Sequence, residues 1–196
     1  GSRSVAKIKD GEVNQVEFLT DRYLLMIASE IRFFYGSPGK LRFGAASIHD
    51  LEKNRTYRMD ACCNILNIAP EKDRVYVGGQ YAVLGVSLSN GNTMDDLGGR
   101  WYENDWLVTP AAKVIASAEF NQKDSHFAIN RLDGTYRRPI LKQETKIPDV
   151  SLVGFTPQGD VVVRDSRAGA DPVLRTLDLA DGSTGEPLFE VEGGEA

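Results

Sequence analysis

The chain of 196 residues holds only two histidines and two cysteines. The cysteines, Cys62 and Cys63, are adjacent, and sequence neighbours rarely bridge each other because the geometry strains the peptide between them. No second pair completes a zinc-type site, so both read as small buried hydrophobes and no metal or cofactor is expected. His49 and His126 each fall in an expected strand, where a packed or surface role outweighs that of a catalytic base. No apolar run approaches the about 18 residues that span a membrane. The longest, Tyr23–Ile31, is strand-sized. A basic cluster is missing too: net charge is −5 and the pI about 5.1, which argues against a nucleic-acid footprint. Neither nucleic acid nor membrane is therefore an expected partner. A signal peptide and an initiator Met are absent, and Gly1-Ser2 reads as a cloning remnant ahead of a mature or excised chain.

What is present is ordinary for a globular domain, 41% hydrophobic and 26% charged residues, arranged with almost no helical period. Ala111–Ala118 could carry a helix, but Val114-Ile115 and the flanking turn signals favour strand. Short strands dominate. Leu174–Asp181 alternates apolar and polar residues, Asp181-Gly182 supplies a tight turn, and Leu188, Phe189 and Val191 give the return strand its apolar face. Weaker copies of this hairpin surround Asn90-Gly91 and Asp133-Gly134, with a poorer one at Ile48–Asn54 before Arg55-Thr56-Tyr57. From Asn54 to Gly91 is 37 residues, from Gly91 to Gly134 is 43, and from Gly134 to Gly182 is 48. A period near 40–50 residues with several strands in each is the pattern of propeller blades.

The expected fold is all-β: a β-propeller or partial propeller of about four blades, each of four antiparallel strands. The blades are placed at about 13–60, 61–98, 99–145 and 146–191, after a lead-in over 1–12 and before an acidic tail over 192–196. Pro139 puts its strand at a blade edge or bulge.

A search for chemistry finds little. Gly85-Val86-Ser87-Leu88-Ser89 is the nearest approach to a nucleophile elbow, but it lacks the last glycine and lies within an alternating strand. Asp181–Gly185 is a hairpin turn. Asp95-Asp96 reads as a solvated turn, and no phosphate loop or calcium loop is found. Asn54-Arg55-Thr56 is a glycosylation sequon, meaningful only in a eukaryotic secretory route. No catalytic residue is assigned. Arg100-Trp101-Tyr102 with Trp106 is the one aromatic cluster paired with a cation. It is kept as a possible binding rim where one blade passes to the next, against a packing role between blades.

Asn104-Asp105-Trp106-Leu107-Val108 followed by Ile115–Phe120, then Pro148–Phe155 and Leu174–Phe189, resembles the N-terminal β-propeller of bacterial prolyl-oligopeptidase-family serine peptidases, the dipeptidyl and acylaminoacyl peptidase relatives. The resemblance covers roughly residues 60–190. It implies a propeller that caps an α/β-hydrolase domain and filters peptides by size. The family's catalytic Ser, Asp and His lie in that second domain, so none is carried over to this chain. The family's propellers have seven or eight blades, whereas four are countable here.

The expected function is that of a non-catalytic propeller segment gating peptide access to a hydrolase domain outside this chain. The alternative is a stand-alone β-propeller protein-interaction module. A third reading is an enzyme or small-ligand binder using the Trp101/Trp106 rim. The expected partners are the remainder of the propeller, the hydrolase domain and a peptide substrate. Self-association is also expected, because an incomplete propeller leaves two blade faces bare. The resemblance implies a bacterial protein, periplasmic or cytoplasmic.

Overall fold

The computed structural model describes residues 11–33, 40–61, 64–79, 81–100, 102–167 and 172–188. These form sixteen strands in four antiparallel four-stranded sheets, each running in chain order from first strand to last. Sheet 1 is β1 (Gly11–Phe18), β2 (Tyr23–Phe33), β3 (Lys40–Asp50) and β4 (Arg55–Arg58). Sheet 2 is β5 (Asn64–Ala69), β6 (Arg74–Gly78), β7 (Val83–Ser87) and β8 (Thr93–Asp96). Sheet 3 is β9 (Glu103–Val108), β10 (Val114–Asn121), β11 (His126–Asp133) and β12 (Tyr136–Glu144). Sheet 4 is β13 (Val150–Phe155), β14 (Val161–Asp165), β15 (Val173–Leu177) and β16 (Thr184–Pro187). These are sheets of the propeller-blade kind. A three-residue 3-10 turn at Pro70–Lys72 is the one helical element among the described residues. Ala111–Ala118 resolves as a turn leading into the strand β10.

The chain divides into two compact units. Sheets 1 and 2 lie in the first (Gly1–Gly99 with Pro110–Ala112), sheets 3 and 4 in the second (Arg100–Thr109 with Lys113–Ala196). Each unit has its own core. In the first, Leu25, Ala46 and Ile48 of sheet 1 pack with Val75, Val77 and Val86 of sheet 2. In the second, Leu107, Ala116, Phe127 and Ile129 of sheet 3 pack with Val150, Leu152, Val161 and Val163 of sheet 4. A β-strand alternates its side chains between two faces, so each sheet gives one face to its partner. Thus Leu25 stands opposite Ile48 on the packed face of sheet 1, while Leu24 stands opposite His49 on the other.

In three of the four sheets a side-chain oxygen in the outer hairpin accepts turn N–H groups. In sheet 1, Asp50 Oδ1 accepts the backbone N–H groups of Glu52 and Lys53 at 3.0 Å each, closing the turn Leu51–Asn54. In sheets 2 and 4 the turn is longer than a two-residue Asn-Gly or Asp-Gly loop. Strand β15 ends at Leu177, not at Asp181, and residues 178–183 make the turn. The Gly182 N–H donates to the Asp178 carbonyl, the Asp178 N–H to the Ser183 carbonyl, and the Asp178 and Asp181 carboxylates take the N–H groups of Ala180 and Ser183. Gly91 repeats this pattern with Ser87 and Asn92. The aspartates satisfy turn amides that a strand would have paired with its neighbour, so alternation through residue 181 overran the strand. In sheet 3 the loop is a true two-residue turn, Gly134-Thr135, between the paired Asp133 and Tyr136. Pro139 sits on β12, a strand with β11 alone as its partner, beside a register shift.

The first strand of every sheet also carries a bulge against the second. The shifts fall between Val13 and Gln15, Ile65 and Asn67, Asp105 and Glu103, and Leu152 and Gly154. One extra residue in the same strand of each sheet bends it and adds twist. Alternation alone gives no sign of this.

Gly182 is fixed by two constraints. Its φ is +81°, and a Cβ there would overlap the Ile140 carbonyl oxygen. Left-handed backbone costs a side-chain-bearing residue about 1–2 kcal/mol before any clash. Gly182→Ala is therefore expected to lower unfolding free energy by about 2 kcal/mol or more in urea titration, with Gly134→Ala, which meets no neighbouring atom, costing less.

Candidate functional site

Of the residues expected to form a rim, Arg100 and Tyr102 are exposed and Trp106 is buried. Arg100 is exposed, and its carbonyl accepts the Glu103 N–H. Tyr102 is 46% exposed with φ at +83°, and its carbonyl accepts the Phe120 N–H. Trp101 lies outside the described residues, as do Cys62 and Cys63. Trp106 is only 3% exposed. It is a packed residue in the middle of β9, where Trp106-Leu107-Val108 is apolar toward both faces and alternation could not say which side chain stays in solvent.

Trp106 instead belongs to a polar row that the sequence reading missed. It pairs with Ser117 across β9 and β10, and Ser117 pairs with Asn130 across β10 and β11. All three are buried on the face of sheet 3 turned away from the sheet 4 core. Beside the row, Glu103 is buried and held by Arg137 through two bonds, Nε to Oε1 at 2.6 Å and Nη2 to Oε2 at 3.1 Å. Ser117 Oγ donates to the same Oε1 at 2.8 Å. Burial pushes the Glu103 carboxyl up, but the Arg137 and Ser117 hydrogen bonds outweigh it and leave the group below the usual carboxylate range. Asp105 goes the other way: burial raises it, and backbone N–H groups from Trp106 and Leu152 only partly offset this. Glu103 and Arg137 are 34 positions apart, and only the sheet register brings them together.

This row does not make a catalytic pair. A serine nucleophile needs a base free to take its proton, whereas Glu103 is already committed to Arg137 and holds its proton weakly. The histidines lie elsewhere. His49 is buried in β3 with Nδ1 2.9 Å from Thr56 Oγ1, and His126 Nε2 is 3.8 Å from Glu119 Oε1. Among the described residues no group of three or more His, Cys, Asp or Glu side chains is placed to hold a metal ion. Trp106 Nε1 and Asn130 Nδ2 are buried donors with no partner among the described residues.

Two apolar surfaces remain. On sheet 1, Val13, Val16 and Phe18 of β1 are 52%, 56% and 68% exposed. They share a face with Leu24, Met26 and Ala28, their cross-strand partners, and this is the face turned away from the sheet 2 core. On sheet 4, a groove of about 450 Å³ is lined by Val153, Phe155, Pro157, Val162, Leu174 and Leu188. Val162 pairs with Thr176, and Leu174 with Arg164, on the face opposite the Val161–Val163 core side.

No protein-family model matches the chain, and no curated protein sequence matches it. Among solved structures it is similar to a Bacteroides fragilis chain provisionally described as a 6-phosphogluconolactonase, at 14% identity and a TM-score of 0.35. The alignment covers 81% of this chain and 53% of that one, so the chain spans about half the length of that structure.

Removing Arg137 strands a buried carboxylate. Arg137→Met is expected to lose about 3 kcal/mol in urea unfolding, with Glu103→Gln/Arg137→Met recovering much of it. Acid acts on a second ion pair. Asp50 is buried and bonded by Arg22 at 2.7 and 3.2 Å, and that hydrogen bond, against the opposing pull of burial, takes its pKa from 3.8 down to about 2. A depressed carboxylate stabilises the fold above the unfolded value and stops doing so as pH falls through the folded one. Stability is therefore expected to drop between pH 4 and 2, and Asp50→Asn to flatten that part of a pH series of unfolding midpoints.

Proposed function

We propose that this chain is a non-catalytic propeller segment of a prolyl-oligopeptidase-like serine peptidase, limiting peptide access to a hydrolase domain outside the chain. The observation that carries the reading is a pair of exposed apolar patches, the β1 row Val13, Val16 and Phe18 on sheet 1 and the groove on sheet 4. A blade seals each face against a neighbouring blade, and large exposed apolar faces on a soluble protein mark surfaces made to be covered. Such patches suit a segment that meets further sheets.

The peptidase part of the reading is supported by where the resembling stretches fall. Asn104–Val108 and Ile115–Phe120 occupy β9 and β10, a first hairpin of a blade. Pro148–Phe155 leads into and forms β13, and the described part of the last stretch, residues 174–188, reaches across β15 and β16. β9 and β13 are the first strands of successive sheets, while β15 and β16 are the last two strands of sheet 4. The chemistry is consistent with a supporting role, because the buried carboxylate Glu103 is neutralised by Arg137 and not poised to move protons. In this reading the exposed Arg100 and Tyr102 are the part of the expected rim open to a passing peptide or to the hydrolase domain.

A second reading, a stand-alone protein-interaction module, is favoured by the sheet 4 groove, which is apolar and open enough to receive side chains of a partner.

The test is labelling with a fluorophosphonate, which modifies activated serines. The 196-residue chain is expected to remain unlabelled and to cleave no aminoacyl or dipeptidyl substrate. The product of the natural gene, expressed from its full reading frame, is expected to label at a serine in a Gly-x-Ser-x-Gly turn beyond this chain. A full-length product that ends near Ala196, or one that carries no reactive serine, would overturn the peptidase reading and leave the interaction module.

A further inference from the structure

We propose that the outer edge of β1 takes up an extended peptide as an added strand, and that the peptide suited to it alternates apolar and basic residues. The proposal concerns sheet 1 alone and does not rest on the peptidase assignment.

A strand at the end of a sheet has a row of backbone N–H and C=O groups without a strand partner. Proteins guard such rows with short strands, prolines, lysines or cover from neighbouring chain. The edge strands of this chain are guarded unevenly. β4, β8 and β16 have four residues each. β5, β9 and β13 are mostly buried or half-buried. β12 is longer, but it carries Arg137, Arg138, Pro139 and Lys142, and the sheet 4 turn lies against its Ile140 carbonyl at Gly182. β1 has eight residues, Gly-Glu-Val-Asn-Gln-Val-Glu-Phe, with no proline, lysine or arginine. Residues 12–18 are exposed without a break. β2 is its strand partner, and among the described residues no other backbone hydrogen bond reaches it.

The register dictates what suits that edge. Val13, Val16 and Phe18 pair with Ala28, Met26 and Leu24 and stand on one face. Those three β2 residues are buried and the β1 row beside them is exposed. Burial therefore stops at β2, and apolar residues on an added strand carry it outward. Glu12, Gln15 and Glu17 pair with Ser29, Ile27 and Leu25 and stand on the other face. That row is acidic, with Gln15 Nε2 donating to Glu17 Oε2 at 3.1 Å. Opposite charges across two strands attract, and like charges repel. A second copy of β1 would bring its own acidic row beside this one, whereas lysine or arginine at alternate positions meets it favourably. Alternation of apolar and basic residues is thus the pattern that the two faces select, and backbone hydrogen bonds supply the attachment. The register shift between Val13 and Gln15 interrupts the edge, so residues 15–18 give the regular length for pairing.

The probe is an acetylated, amidated octapeptide of alternating lysine and valine, titrated into the isotope-labelled 196-residue chain. Saturable binding with a Kd on the order of 100 µM is expected, with amide shifts and slowed hydrogen exchange confined to β1 and β2. Methylating alternate backbone nitrogens of the peptide removes the donors of one edge. Of two such peptides, one methylated at its lysines and one at its valines, one is expected to bind about tenfold more weakly. Glu17→Lys is expected to weaken the lysine–valine peptide about tenfold and to favour a glutamate–valine octapeptide instead. Val16→Asp is expected to weaken the lysine–valine peptide to a similar degree. Both positions are exposed, and circular dichroism checks that both variants stay folded. Absence of saturation up to about 1 mM overturns the proposal. So does binding that neither methylated peptide loses, equal binding of the glutamate–valine peptide by the unaltered chain, or shifts that lie outside β1 and β2. Protection of β1 amides that grows with chain concentration alone would assign the edge to a second copy and overturn it too. None of these results bears on fluorophosphonate labelling, so the two readings fail separately.

Discussion

Every part of this structure depends on one constraint: a four-stranded sheet has two faces and cannot bury both by itself. Its interior strands are apolar on both sides. In β2, Leu25 points to one face and Leu24 and Met26 to the other, and β14 repeats this with Val161, Val162 and Val163. Pairing sheet 1 with sheet 2, and sheet 3 with sheet 4, satisfies one face of each. Burial of a Leu, Ile or Val side chain contributes roughly 1.5–3 kcal/mol, so a junction built on six or more of them outweighs any single hydrogen bond in the sheet. The bulge in every first strand belongs to the same constraint, because it supplies the twist with which neighbouring sheets of this kind fit together.

The polar groups inside the sheets serve placement. The Glu103–Arg137–Ser117 cluster ties the first, second and fourth strands of sheet 3 across its buried face. A buried ion pair of this kind adds little net stability but makes any other register costly, since a slip would strand a charge. Asp50 does comparable work at the end of β3, where it fastens Arg22 and the turn that follows. These two carboxylates are held in their ionised form by their partners. That makes them structural acids and poor proton carriers.

Much of this was legible in the residues. Asn-Gly, Asp-Gly and the spacing between them led to four units of four strands, because turns with a left-handed residue admit few residue types. Pro139 announced its own place on an outer strand, since it cannot donate to a second neighbour. Other features left no local trace. The bulges at Asn14, Leu66 and Val153 add one residue within a strand, and a pattern of alternation absorbs that as noise. The turn over residues 178–183 was hidden because Asp178 and Asp181 look like polar positions of a strand until their carboxylates are seen holding turn amides. Trp106 offered an aromatic ring beside Arg100 and Tyr102, yet Trp106-Leu107-Val108 is apolar on both sides and its burial is decided by packing. The pairing of Glu103 with Arg137 depends on the register of four strands, which no stretch of sequence contains.

The sealing of sheet against sheet can be tested without reference to function. In a sample with labelled Ile, Leu and Val methyl groups, nuclear Overhauser contacts report which side chains touch. Cross-peaks are expected linking the Leu25 and Ile48 methyls of sheet 1 to those of Val75, Val77 and Val86 in sheet 2, and the Leu107 and Ile129 methyls of sheet 3 to those of Val161 and Val163 in sheet 4. A spectrum in which each sheet's methyls contact only their own sheet, or in which sheet 1 contacts sheet 2 through Leu24, would contradict the account.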